Sequence, residues 1–162
     1  MKGLSQISSR DAYPLLAESL RLHGSLRLPA VGTSMLPTIQ PGDMLTIQPL
    51  NSHEIALGDL VVYAKEHTLV VHRVVRTACS SGETRLVTRG DRLLRDDAPI
   101  LPADLLGRVA RIERKNRRVS VRAFSNLAER ALCPILRRSE HATYLFLRAT
   151  QLWSVLLSKG NM

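Results

Sequence analysis

The sequence predicts a compact, mainly β domain with a short N-terminal helix and C-terminal helices. Apolar and polar residues alternate in several short runs, which is the spacing of half-buried strands. Turn-forming groups separate these runs, among them Gly58-Asp59, Ser80-Ser81-Gly82 and Gly90-Asp91. Many short strands joined by such turns favour a β-rich domain. The predicted strands are 44–48, 60–64, 69–76, 84–88 and 106–113, with a final one at Val119–Ala123.

A helix and a short strand are predicted before the first long turn. The helix covers residues 11–23, with Asp11 as its N-cap and Gly24 after its last turn. Its apolar positions at helical spacing are Leu15, Leu16 and Leu20. Residues 26–30 then alternate as a strand would, and lead into the turn that follows.

The pattern changes after residue 114. A basic run, Arg114-Lys115-Asn116-Arg117-Arg118, comes first. Residues 125–158 then predict helix, broken near Pro134. We therefore divide the chain into an N-terminal helix with its lead-in strand (1–28), a β-rich domain (29–123) and a C-terminal helical segment (124–162).

The chain has a net charge of +9, from 23 Lys and Arg against 14 Asp and Glu. This excess of positive charge favours a polyanionic binding partner, either nucleic acid or an anionic membrane surface. Aromatic residues make up only 4% and are not interleaved with basic ones, so a stacking platform for nucleic acid is not expected. The basic residues between 108 and 122 either bind an anionic lipid surface or form a solvated face. Apolar residues near the C-terminus, such as Trp153, either insert into that surface or pack on the β domain.

Cofactors and membrane-spanning segments are not predicted. The two cysteines, Cys79 and Cys133, have no metal-binding spacing, so we expect no metal or organic cofactor. The first residues contain no apolar core of a secretory signal. Arg148 and Gln151 interrupt the most apolar stretch, 141–158, and a spanning helix needs about 20 apolar residues. We expect a cytoplasmic or peripheral membrane location.

A serine stands on a tight predicted turn, Gly32-Thr33-Ser34-Met35-Leu36-Pro37. A hydroxyl presented on such a turn is accessible to a substrate, as a nucleophile must be. His72 lies in a predicted strand, on the same face as Val70 and Val74. A neutral imidazole can accept a serine proton, which makes His72 a candidate base. The alternative is a core histidine bonded to a backbone carbonyl.

Three carboxylates follow in one turn-rich segment: Asp91, Asp96 and Asp97. One of them can accept a hydrogen bond from the imidazole and hold its tautomer. The alternative is that Asp91 closes a turn, while Asp96 and Asp97 form a solvated loop beside Arg92 or Arg95.

Taken in order, these motifs resemble those of type I signal peptidases, from Val31 to Val109. The motifs are Gly-Thr-Ser34-Met-Leu-Pro, Pro-Gly-Asp43, Gly58-Asp59-Leu-Val-Val, Val-His72-Arg-Val-Val and Thr-Arg-Gly-Asp91 with Asp96-Asp97. Most bacterial members use lysine as the base, so His72 resembles the endoplasmic-reticulum and archaeal type. The resemblance implies the compact β domain of signal peptidases and of the related self-cleaving repressor peptidases.

The resemblance also implies residue roles. Ser34 is the nucleophile and His72 the general base. Asp97 is the first choice as the acid that orients His72, and Asp91 is structural or a second candidate. Lys65, the residue that a Ser/Lys mechanism would use, is expected to be solvated at a strand end.

One position departs from many members of the family. They carry a serine two residues before the nucleophile, where its hydroxyl helps to bind the oxyanion; here that residue is Gly32. The Gly-Thr-Ser-Met form resembles mitochondrial inner-membrane peptidases. Backbone N–H groups, including that of Ser34, are then expected to bind the oxyanion.

The implied function is a serine endopeptidase that cuts a leader or signal segment from an extended peptide or protein, with small residues at the first and third positions before the cut. Two other classes stay open. A self-cleaving regulator would use the basic charge for DNA, although only 31 residues precede Gly32 and the one short helix predicted there is not a helix-turn-helix. A catalytically silent module would capture extended peptides at the membrane.

Overall fold

Seven antiparallel strands form one sheet in the computed structural model of the chain, which describes residues 9–51, 54–65, 68–80, 83–119, 121, 142–143 and 145–149. The strands are β1 (Leu26–Pro29), β2 (Met44–Gln48), β3 (Leu60–Lys65), β4 (Thr68–Ser80), β5 (Glu83–Arg89), β6 (Leu105–Arg114) and β7 (Arg117–Val119). Helix α1 (Ser9–His23) precedes them, and a 3-10 turn, Pro102–Asp104, precedes β6. The strand order is β1-β2-β6-β3-β4-β5, and β7 pairs with β6. The predicted mainly β fold is confirmed.

The basic run after residue 114 forms a hairpin. Lys115 and Asn116 have φ angles of 49° and 62°, as a two-residue turn of type I′ requires, and β7 pairs back onto β6. The last predicted strand, Val119–Ala123, was therefore placed too late, because β7 already begins at Arg117. The other predicted strands are confirmed, although β4 extends to Ser80 through its long hairpin with β5.

Helix α1 covers one face of the sheet. It begins at Ser9, so the prediction that Asp11 is its N-cap is wrong. Its end is confirmed: Gly24 has a φ of 68°, and its N–H donates to the Leu20 carbonyl over 2.9 Å. Leu20 is buried and Leu16 packs against the core, whereas Leu15 is 66% exposed. Residues four apart share a helix face, and Leu15 lies off that face.

Strand β3 lies in the middle of the core. Its Leu60 and Val62 belong to one buried cluster, which α1 covers, and its Val61 and Tyr63 belong to another. A strand that is buried on both faces needs a continuous apolar run rather than an alternating one. The four residues from Leu60 to Tyr63 meet this need, and Lys65 then ends the strand at the edge of the core.

Only part of the C-terminal segment falls within the described residues. Residues 142–143 and 145–149 are helical, as predicted, whereas Pro134 and Trp153 lie outside the described residues. In the part of the chain that the structure describes, no helix has the length and apolar character needed to cross a bilayer. The division at residues 28 and 123 stays a prediction.

Candidate active site

The serine turn is fixed by the core beneath it. Gly32 opens it with a φ of 87°, a left-handed conformation that glycine adopts at little cost. Met35, Leu36 and Ile39 are then buried, at 5%, 0% and 4% exposure. The N–H of Ile39 donates to the Met35 carbonyl over 3.0 Å and closes the turn. Ser34 is therefore held at the surface end of a well-packed segment.

The loop after β5 packs directly on the serine turn. The backbone N–H of Arg92 donates to the Ser34 carbonyl over 2.9 Å, and the Arg92 side chain donates to Thr33 Oγ1 over 2.9 Å. A Cβ atom at Gly90 would lie 2.7 Å from the Ser34 carbonyl oxygen, so this approach requires glycine. From the sequence, Gly90 is predicted only as a turn former, and this close approach has no local signal.

His72 lies beside the serine. It is 5% exposed on β4, where it pairs with Val61 of β3. Its Nε2 atom is 3.2 Å from Ser34 Oγ, although 38 positions separate the two residues in sequence. Hydrogen-bond contact between a nucleophile and a base is the geometry that proton transfer needs.

Asp97 contacts the other nitrogen of the imidazole. His72 Nδ1 lies 2.5 Å from Asp97 Oδ2. An ionised carboxylate only accepts hydrogen bonds, so Nδ1 carries the proton and Nε2 is left to accept one from Ser34. The backbone N–H of Asp97 donates to the Thr88 carbonyl over 2.8 Å, and Ile100 bridges to Leu86. The segment from 97 to 100 thus runs along β5, which brings Asp97 behind His72.

Three further residues surround the Asp97 carboxylate, and none of them was predicted from the sequence to belong to the site. Thr88 Oγ1 donates to Oδ2 over 2.9 Å, and the Tyr63 hydroxyl lies 3.0 Å from Thr88 Oγ1. Lys65 Nζ donates to Oδ1 over 3.0 Å. Lys65 is exposed at the end of β3, as predicted, with 47% of its side chain accessible, but its ammonium also pairs with Asp97.

The charge state of Asp97 follows from these contacts. Burial acts to raise the pKa of the Asp97 carboxyl, but hydrogen bonds from His72, Lys65 and Thr88 outweigh it, and the pKa lies below its ordinary value of 3.8. Burial raises the pKa of Tyr63 to about 12, and the nearby Asp97 charge adds to this. Tyr63 therefore keeps its proton and donates to Thr88, whose own proton points to Asp97.

A pH dependence of stability follows from the lowered pKa of Asp97. Its ionised form is favoured in the folded state, so the stabilisation is present above the ordinary value of 3.8 and is lost as the pH falls through the lower folded value. We expect Asp97→Asn to destabilise the protein at pH 6 and to do so less at pH 3. Urea unfolding at the two pH values measures this; an equal loss at both would contradict it.

Asp91 has a different set of contacts. Arg73 donates to both of its oxygens, each over 2.8 Å, and Thr38 Oγ1 donates to Oδ2 over 2.6 Å. The side chains of Arg73 and Asp91 are 6% and 4% exposed. This buried ion pair joins β4, next to His72, to the loop after β5, and the Thr38 hydrogen bond links Asp91 to the segment that follows Ser34. The geometry favours a structural part for Asp91, since both ring nitrogens of His72 already contact Ser34 and Asp97.

The alternative of a solvated loop fits Asp96 and not Asp97. The Asp96 side chain is 32% exposed and lies 3.4 Å from Arg76 and 3.3 Å from Arg89, which are not the arginines that were expected. The Asp97 side chain is only 7% exposed. Within the described residues, no group of three or more His, Cys, Asp or Glu side chains could hold a metal ion.

One member of the basic run also supports the serine turn. Arg114 donates to both oxygens of Asp43, over 2.8 and 2.7 Å, and to the Thr38 carbonyl over 3.2 Å. Asp43 is 2% exposed. Arg114 is therefore an internal contact and not part of a freely solvated basic face.

Fold and site together define a mainly β protein in which hydrogen bonds link a serine, a histidine and an aspartate. The chain is 37% identical over 70 residues to the signal peptidase complex catalytic subunit SEC11 of Metarhizium acridum (strain CQMa 102). This match supports a relation to the type I signal peptidase family. The match covers 41% of this chain and 41% of that subunit, so the chain matches less than half of its relative's length. No family model matches the chain.

Proposed function

We propose that this chain is a serine endopeptidase of the signal peptidase type, which removes a leader or signal segment from an extended peptide or protein. One observation carries the proposal: His72 Nε2 lies 3.2 Å from Ser34 Oγ, while its Nδ1 is held by Asp97. The similarity to SEC11, by its name the catalytic subunit of a signal peptidase complex, supports the choice of substrate class.

In the proposed reaction, Ser34 Oγ attacks the carbonyl carbon of the scissile peptide bond as its proton passes to His72 Nε2. Asp97 stabilises the imidazolium that forms. His72 then gives the proton to the leaving amine, the C–N bond breaks, and an ester joins Ser34 to the acyl part of the substrate. A water molecule, activated by His72, hydrolyses the ester and regenerates the serine.

The developing oxyanion needs hydrogen-bond donors. Gly32 offers no side-chain hydroxyl for this purpose. Within the described part of the chain, the backbone N–H of Ser34 donates to no other group, so it is available for this purpose. One such donor typically contributes ~10²–10³ in rate.

A substrate strand can pair beside the serine. β1 lies at one end of the strand order, and β2 is its only strand partner among the described residues. Its free edge can add an extended peptide through backbone hydrogen bonds, and the chain passes from this strand directly to the turn that carries Ser34. Small residues at the first and third positions before the cut are the preference that the family resemblance implies.

A serine-reactive acylating probe tests the nucleophile directly. We expect a fluorophosphonate to label Ser34, as located by mass spectrometry of the modified peptide, because the imidazole removes the hydroxyl proton. Labelling should fall at least about 100-fold in His72→Ala, which is the lower range for a general base. Lys65→Ala should keep most of the labelling.

The probe also separates the proposal from its rivals. Labelling that survives in His72→Ala and is lost in Lys65→Ala would make the lysine the base. An absence of labelling in the wild-type chain would favour the catalytically silent binding module. The self-cleaving regulator predicts that the pure chain loses mass on incubation, which intact-protein mass spectrometry measures.

A further inference from the structure

We propose that the cleft beside Asp97 is a substrate subsite for an acidic side chain, with Arg95 as its direct partner. The inference rests on the proposed peptidase function and adds a preference for Asp or Glu in the substrate near the cut. It is carried by the position of the cleft, by its charges and by the exposure of its walls.

The cleft shares two lining residues with the candidate site. It has a volume of about 500 Å³ and is lined by Lys65 and residues 92–97. Of these, Arg92 contacts both Thr33 and the Ser34 carbonyl. Asp97 contacts His72. A peptide whose scissile carbonyl lies at Ser34 Oγ therefore has neighbouring side chains within reach of this cleft.

The charges that line the cleft leave a positive excess. Three cationic side chains line it, from Lys65, Arg92 and Arg95, against two carboxylates, from Asp96 and Asp97. Both carboxylates already have cationic partners. Asp97 pairs with Lys65, and Asp96 lies near Arg76 and Arg89, neither of which lines the cleft. The whole chain adds to the effect, since its net charge is +9.

Arg95 is the cation best placed to meet a ligand. It is exposed, and among the described residues no carboxylate pairs with it. Its neighbours in the cleft, Leu93 and Leu94, are 38% and 72% exposed and give an apolar wall on which the methylene groups of a glutamate can lie. A guanidinium can bind a carboxylate through two parallel hydrogen bonds.

Peptide binding to the Ser34→Ala variant, which does not cleave, tests the subsite without relying on turnover. The probes are fluorescent ten-residue peptides with Ala-X-Ala before the intended cut, in which Glu, Gln or Lys replaces one residue at a time. At 50 mM NaCl we expect Glu to bind about two- to fivefold more tightly than Gln at one or two positions, the range of an exposed ion pair. The difference should shrink at 0.5 M NaCl, because salt screens exposed charges.

Charge reversal identifies the partner. Adding Arg95→Glu should abolish the preference for Glu and create one for Lys at the same positions. Arg118→Glu makes the same change in net charge at an exposed residue of β7, which pairs with Glu113 near the far end of β6, and should leave the preference intact. The cleft lies near the opposite end of β6, because Tyr63, which is close to the cleft, pairs with Leu105 there. Arg118 is therefore distant from the cleft.

Three results would overturn the inference: equal binding of Glu and Gln peptides at every position, a preference that survives Arg95→Glu, or no binding of any acidic peptide. The proposed function is tested separately, by comparing cleavage of the Gln peptides by the wild-type chain and by Ser34→Ala. Cleavage without a charge preference would therefore reject the subsite and keep the peptidase.

Discussion

Replacement of Ser34 by alanine is expected to abolish peptide cleavage, with a fall in kcat/KM of at least about 10⁴-fold and up to ~10⁶-fold. The reason is that the proposed reaction passes through an ester to the serine oxygen, and no other hydroxyl contacts His72 Nε2 among the described residues. His72→Ala should cost nearly as much, because a nucleophile and its base act as a unit. Cleavage of a leader-bearing peptide, followed by chromatography, measures both changes.

A double variant that combines Ser34→Ala with His72→Ala is the control for this prediction. If Ser34 and His72 act together, the two substitutions combined should cost little more than either one alone. Thermal unfolding of Ser34→Ala should stay close to that of the wild-type chain, since Ser34 lies at the surface end of its turn. Wild-type turnover in either single variant would reject the assigned role.

Replacement of Asp91 by alanine is expected to lower the free energy of unfolding by about 3–5 kcal/mol. The substitution removes the carboxylate from a buried pair, so the Arg73 guanidinium, whose side chain is 6% exposed, keeps its charge without its main partner. Thr38 Oγ1 loses its acceptor at the same time. Urea unfolding monitored by circular dichroism measures the loss.

Asp96→Ala is the matched control, because it removes the same side chain five positions away. Its carboxylate is 32% exposed and its two arginine contacts are at 3.3 and 3.4 Å, so the expected cost is below about 1 kcal/mol. A similar loss of stability in the two variants would show that the Asp91 pair contributes no more than a surface ion pair does.

The main elements of the sheet could be predicted because their signals are local. The run from Leu60 to Tyr63 is apolar without a break, as a strand buried on both faces must be. The last strand was predicted too late because the turn before it, Lys115-Asn116, carries no glycine and depends on two residues with positive φ. The start of α1 was misplaced because a capping residue such as Asp11 can also stand inside a helix.

The partners of the candidate site were only partly predictable. Ser34 and His72 were recognisable from the turn and strand that carry them, and from the order of the surrounding motifs. The choice among the three carboxylates was not settled by spacing, since all lie within seven positions of each other. The contact of Lys65 with Asp97 escaped notice because the strand pattern gives only its place at a strand end.

The amino-acid order alone determined where the strands lie and which side chains are chemically able to act. Alternation, turn residues and motif order are properties of neighbours along the chain. The tertiary structure alone decided which of these side chains meet. Asp97 reaches His72 because its segment runs along β5, and Asp91 is held by Arg73 instead, through contacts between residues 18 to 25 positions apart. Such contacts depend on how distant segments pack, which no local pattern records.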